Sequence, residues 1–168
     1  SLAGDAGDDR IYGDPYTTGG PDAGAPGDLG VLAAGKGGKD VLDGGDGDDI
    51  LYGDAFHMGG DARGGHDRLD GGDGGDVLLG DADQMTGDSR GGDDELAGGA
   101  EQDILFGDAG TMLGNARGGD DRLDGGDGND MLEGDASALS GSAVGGNDRL
   151  TGGNGDDSIE GDGHQLNS

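Results

Sequence analysis

A nine-residue pattern returns along this chain at a fixed interval of 27 residues. It stands at Gly44–Tyr52 (GGDGDDILY), Gly71–Leu79 (GGDGGDVLL), Gly98–Phe106 (GGAEQDILF), Gly125–Glu133 (GGDGNDMLE) and Gly152–Glu160 (GGNGDDSIE). The consensus is GGxGxDxUx, with U a large aliphatic residue. A repeat this regular constrains the fold more than any local propensity. Each unit is too short to bury its own apolar residue, so successive units must stack and bury it against one another.

Half-degenerate copies fill the phase between. Gly4–Tyr12 (GDAGDDRIY) carries Asp5 in the second glycine slot, and Gly35–Asp43 (GKGGKDVLD) runs directly into Gly44. Later copies read ARGGHDRLD, SRGGDDELA, ARGGDDRLD and AVGGNDRLT. Between full and half copies lie nine-residue inserts: GDAFHMGGD, GDADQMTGD, GDAGTMLGN and GDASALSGS. We expect one module over residues 1–168. It would comprise a degenerate first repeat (1–12), an irregular loop holding all three prolines (13–34), regular coils (35–160) and a tail (161–168).

Aliphatic residues fall at Ile11, Leu42, Leu51, Leu69, Leu78, Leu96, Leu105, Leu123, Leu132, Leu150 and Ile159, each two positions after an aspartate. Strands of about three residues cannot stand alone, so the expected fold is an all-β stack of parallel strands. Two arrangements accommodate the inserts. In one, each coil has two strands and the insert lengthens the turn at one edge. In the other, the insert is a third side. The two-strand coil is preferred, because the inserts lack an Asp-x-aliphatic strand signature.

Composition points to what holds the stack together. With 46 glycines and 3% aromatics, the chain has little to build a core from, and it lacks cysteine. Its formal net charge of −29 opposes compaction and binding to nucleic acid phosphates. Multivalent cations would relieve both problems. Glycine turns can aim several backbone carbonyls at one centre, and each aspartate adds a carboxylate. A high count of hard oxygen donors suits Ca²⁺ over Mg²⁺ or Zn²⁺.

The nonapeptide resembles the calcium-binding repeat of the RTX (repeats-in-toxin, hemolysin-type) proteins. The resemblance implies a right-handed parallel β-roll with Ca²⁺ between consecutive turns of one edge. The implied carboxylate ligands are Asp9, Asp40, Asp49, Asp67, Asp76, Asp94, Asp103, Asp121, Asp130, Asp148 and Asp157. Carbonyls of Gly44, Asp46, Gly71, Asp73, Gly125, Asp127, Gly152 and Asn154 would join them, for roughly six to ten ions. Glu101 departs from the pattern at the fourth position, so its turn is either distorted or supplied with an extra carboxylate. The insert-leading residues Asp14, Asp54, Asp81, Asp108 and Asp135 either add ligands or merely solvate the long edge.

The resemblance also implies a secreted bacterial protein, exported by a type I route and folding on calcium outside the cell. No catalytic constellation stands out, so no enzyme activity is expected. The alternative is an adhesion or recognition surface for a glycan, a cell surface or another protein. Ile50, Val77, Ile104 and Met131 would face outward as an apolar stripe. Either the inserts fold back over it with Val31, Met58, Met85, Met112 and Leu139, or it docks a neighbouring domain or a second copy. No membrane span is visible. The chain opens within a repeat-like segment, which suggests a piece excised from a longer protein.

Overall fold

The computed structural model describes residues 1–4, 6–13 and 31–166. Most of the expected 13–34 loop, with Asp14, lies outside them, as does Asp5. The described residues form three six-stranded sheets in which every pairing is parallel. The all-β parallel solenoid expected from the repeat is what the chain forms.

The first sheet contains Leu2–Ala3, Val41–Asp46, Arg68–Asp73, Glu95–Ala100, Arg122–Asp127 and Arg149–Asn154. The second contains Arg10–Tyr12, Ile50–Tyr52, Val77–Leu79, Ile104–Phe106, Met131–Glu133 and Ser158–Glu160. Leu96 sits in register with Leu69 and Leu123, and Leu105 with Leu78 and Leu132. Between these two sheets Leu42, Leu51, Leu69, Leu78, Leu96, Leu105, Leu123 and Leu132 form a continuous buried column. One leucine per strand suffices because each packs on its own copies above and below.

The coil is not two-stranded. The inserts build a third sheet: Val31–Leu32, Ala55–Met58, Ala82–Met85, Ala109–Gly114, Ala136–Gly141 and His164–Leu166. Its strands pair with their own copies in the next coil, Met112 with Met85 and Leu139. That self-pairing supplies the backbone bonds without any Asp-x-aliphatic signature. Burial in this sheet falls on the first and fourth residues of each strand, as in Ala55 and Met58. Simple alternation, the usual strand signal, is therefore absent.

The third sheet owns a separate core. Leu32, Met58, Met85, Met112 and Leu139 pack with Ala55, Ala62, Ala82, Ala109, Ala116, Ala136 and Ala143. The inserts thus fold around their own methionines rather than plugging the outer stripe. Val31, which we expected in that series, is 44% exposed; its neighbour Leu32 takes the buried place, in register with Met58. The stripe is only half-buried at Ile50, Val77, Ile104 and Met131, whereas Tyr52 and Leu79 beside it are buried. Tyr52 stacks on Tyr12 with ring centroids 4.9 Å apart, and Phe56 of the insert meets it edge-on at 5.9 Å.

Glu101 keeps the turn rather than distorting it. It adopts a positive φ of 79°, as do the fourth-position glycines Gly47 (131°), Gly74 (134°) and Gly155 (138°), though not Gly128 of the next coil. Its side chain is exposed. A left-handed non-glycine residue costs on the order of 1 kcal/mol. Glu101→Gly is therefore expected to stabilise the folded chain by about that amount, read as a higher midpoint in thermal unfolding at fixed calcium. An unchanged or lower midpoint would show that the strain is not there.

Candidate metal centre

Both edges of the roll carry lines of buried carboxylates. At the short edge, the turn between the first and second sheets, Asp49, Asp76, Asp103 and Asp130 are buried one above another. Each offers one oxygen to the coil before it. Asp76 Oδ1 accepts the Asp49 amide at 2.8 Å, Asp103 Oδ1 that of Asp76 at 2.8 Å, and Asp130 Oδ1 that of Asp103 at 3.0 Å. Asp49 and Asp157 accept likewise from Asp9 and Asp130. The second oxygen of Asp49, Asp76, Asp103 and Asp130 is buried with no hydrogen-bond partner.

Glycine makes room beside that oxygen. A methyl group on Gly71 would collide with Asp76 Oδ2 and with the Gly98 carbonyl oxygen of the next coil. Gly44 has the same two neighbours in Asp49 and the Gly71 carbonyl, and Gly125 in Asp130 and the Gly152 carbonyl. Of the ligands named from the repeat, the Gly44, Gly71 and Gly152 carbonyls thus lie beside Asp9, Asp49 and Asp130 at the short edge. The carbonyls of Asp46, Asp73 and Asn154 already accept backbone amides of Gly7, Gly47 and Gly128, which leaves each one lone pair. The side chains of Asp127 and Asn154 are exposed and bonded to each other at 2.6 Å.

The long edge holds two carboxylate lines. Asp67, Asp94, Asp121 and Asp148 continue the ladder, each Oδ1 accepting the amide of the aspartate one coil earlier, from Asp40 onward. Beside them stand the residues that open the inserts. Asp54, Asp81, Asp108 and Asp135 are completely buried. Gly-Gly amides at the neck of the insert bind them: Gly65 donates to Asp54 at 2.9 Å, Gly92 to Asp81 at 3.1 Å and Gly146 to Asp135 at 2.7 Å. The two lines meet. Carboxylate oxygens of Asp108, Asp121 and Asp135 lie within 4.8 Å of one another, as do those of Asp135, Asp148 and Asp162.

The electrostatics of these lines are unfavourable by themselves. Burial pushes Asp76 up to about 6 and Asp103 to about 7. On the long edge burial comes first and the neighbouring carboxylates add to it. Asp121 rises to about 8 and Asp135 to about 7, and Asp81, Asp94 and Asp108 stand well above the ordinary range. Among the described residues the ion pairs are Arg68–Glu95, His66–Asp93 and His164–Glu160, all exposed. Buried charge without a counter-charge persists only when a proton or a metal neutralises it.

Orphaned carboxylate oxygens, carbonyls aimed into glycine-lined space and the absence of nitrogen or sulfur donors fit a hard divalent cation of high coordination number. Sequence reasoning left the insert-leading aspartates open as ligands and did not anticipate Asp162. Their signal was present in the Gly-Asp pair that recurs at 53, 80, 107, 134 and 161.

Fold and site together define a parallel β-solenoid whose coils are separated by cation-binding carboxylate lines. The family model of the RTX calcium-binding nonapeptide repeat matches residues 1–15, 32–57, 61–84, 88–111, 115–138 and 142–164. This chain belongs to that family, whose repeats bind Ca²⁺. A search of curated proteins and a search of solved structures returned no match. Among the described residues no helix is long and apolar enough to cross a membrane.

Proposed function

We propose that this chain is a non-catalytic structural module of a secreted bacterial protein, folding when calcium binds outside the cell. The observation that carries this reading is the line of buried long-edge carboxylates, Asp81, Asp94, Asp108, Asp121 and Asp135, which no ion pair among the described residues offsets. Calcium would supply the missing charge and bridge consecutive coils. In the calcium-poor cytosol the same charges would keep the chain extended, a form suited to export.

Two classes of site are proposed. At the short edge Asp49, Asp76, Asp103, Asp130 and Asp157 would share ions with the carbonyls of Gly44, Gly71, Gly125 and Gly152, and Asp9 would close the first turn. At the long edge Asp40, Asp67, Asp94, Asp121 and Asp148 would act with Asp54, Asp81, Asp108, Asp135 and Asp162. Each coil adds one buried carboxylate at the short edge and two at the long edge. The long edge therefore neutralises a divalent ion per coil and should fill at lower calcium.

Circular dichroism during a CaCl₂ titration at neutral pH tests the reading. The expected result is a cooperative gain of β-structure that EDTA reverses, with calorimetry resolving a tighter and a weaker class of ion. A chain that is fully β-structured without calcium at neutral pH would overturn it.

A further inference from the structure

The molecule has few cations, and an unusual share of them stand in one line. Of nine lysines and arginines against 38 acids, Lys36, Arg63, Arg90 and Arg117 bridge one another in register along the insert side. Backbone bonds hold the register: the Arg63 amide donates to Gly35 at 3.0 Å, that of Arg90 to Ala62 at 2.9 Å and that of Arg117 to Ser89 at 3.0 Å. All four side chains are exposed. Neighbouring strands in a sheet are about 4.8 Å apart, so the charges repeat at that step along the solenoid axis.

Like charges placed directly opposite one another on adjacent strands are destabilising. The first sheet relieves this in part: Glu95 interrupts its arginines and pairs with Arg68 at 3.2 Å, while Arg122 still faces Arg149. The insert-side line has no such interruption. Among the described residues no carboxylate lies within 4.0 Å of the guanidinium of Arg63, Arg90 or Arg117. Among the described residues, three of the four cations in this row therefore stand without an acidic partner.

A cleft of about 410 Å³ opens beside the row, lined by Asp88, Arg90, Asn115, Arg117 and Ser142. Two of its lining residues are bonded to each other, Asn115 Nδ2 donating to Asp88 Oδ1 at 2.8 Å. The geometry points to this row and cleft as a docking strip for an acidic polysaccharide lying along the solenoid axis. Guanidinium groups take carboxylates or sulfates bidentately, and a row at strand spacing engages an anion repeated on successive sugars. The carboxylate, amide and hydroxyl of Asp88, Asn115 and Ser142 suit sugar hydroxyls. The cleft offers no aromatic platform for stacking bases.

The test uses the calcium-loaded full chain and fluorescently labelled short oligosaccharides bearing carboxylate or sulfate. An uncharged oligosaccharide and a single-stranded oligodeoxythymidylate of equal charge serve as comparisons. Wild type is expected to bind at least one acidic sugar and to leave the uncharged one free. Arg63→Gln/Arg90→Gln/Arg117→Gln should weaken binding at least about tenfold, while Arg122→Gln/Arg149→Gln on the first sheet should not. Arg90→Lys, which keeps charge but loses the fork, should give a partial loss and serves if the triple variant fails to fold. Equal binding by wild type, triple variant and Arg90→Lys would overturn the assignment. So would no binding of either acidic sugar, or oligonucleotide binding as tight as theirs.

Discussion

Stripped of calcium at neutral pH the chain is expected to lose its β-structure, and to recover it without calcium as the pH falls toward about 4. The sign follows from the buried acids. Burial raises Asp76 to about 6, Asp103 and Asp135 to about 7 and Asp121 to about 8, from an ordinary value of 3.8. Between the unfolded and folded values the folded chain binds more protons than the unfolded chain. Stability of the calcium-free fold is therefore full below the unfolded value and is lost as pH rises through the folded ones. Protons would stand in for the ion as neutralisers of the carboxylate lines, though they bridge nothing.

Far-ultraviolet circular dichroism of the EDTA-treated chain across pH checks this. The gain on acidification should be well advanced by about pH 6, because the raised groups take up protons there. A gain confined to the neighbourhood of the isoelectric point, about 4.1, would show that net charge alone governs collapse. A calcium-free chain that stays disordered at every pH would show that neutralising the buried carboxylates is not enough.

The second large effect is expected at Asp135, which belongs to both long-edge triads. Asp135→Asn keeps the oxygen that accepts the Gly146 amide and removes the charge. Loss of a partner one step removed from a metal typically costs 10–100-fold in affinity. Losing a carboxylate shared by two sites should therefore raise the calcium midpoint at least about tenfold. Asp130→Asn at the short edge, where one buried carboxylate is added per coil, should raise it less. The calcium-free form should respond in the opposite direction. An asparagine imitates the protonated acid, so Asp135→Asn should move the acid-induced transition to higher pH. Equal midpoints for the two variants would remove the distinction between the edges, and an unchanged apo transition would remove the burial argument at Asp135.

The chain's two cores show why parts of this structure were legible and others were not. The leucine column declared itself, because Leu69, Leu78, Leu96 and Leu105 each follow an aspartate at fixed spacing and a parallel stack is the only way to bury them. The methionine core did not. Ala55 and Met58 are buried three positions apart, and their sheet exists because each insert pairs with its copy in the next coil. That partner is 27 residues away and leaves no mark within a single repeat. Val31 illustrates the same limit: its neighbour Leu32 was equally apolar, and only the pairing with Met58 chose between them.

The sequence alone determined the period, the parallel stack, the leucine column and the short-edge line of aspartates and glycine carbonyls, because a repeated unit must meet its own copies in one register. Only the tertiary structure decided that the insert is a third sheet with its own core. In turning out and back, the insert brings the aspartate that opens it against the aspartate that follows it, so that Asp108 and Asp121, 13 apart in the chain, meet within 4.8 Å in one buried cluster. No periodicity of 27 predicts that meeting. It depends on how far the insert travels before its Gly-Gly neck closes, and that distance is set by the packing of Met58, Met85, Met112 and Leu139.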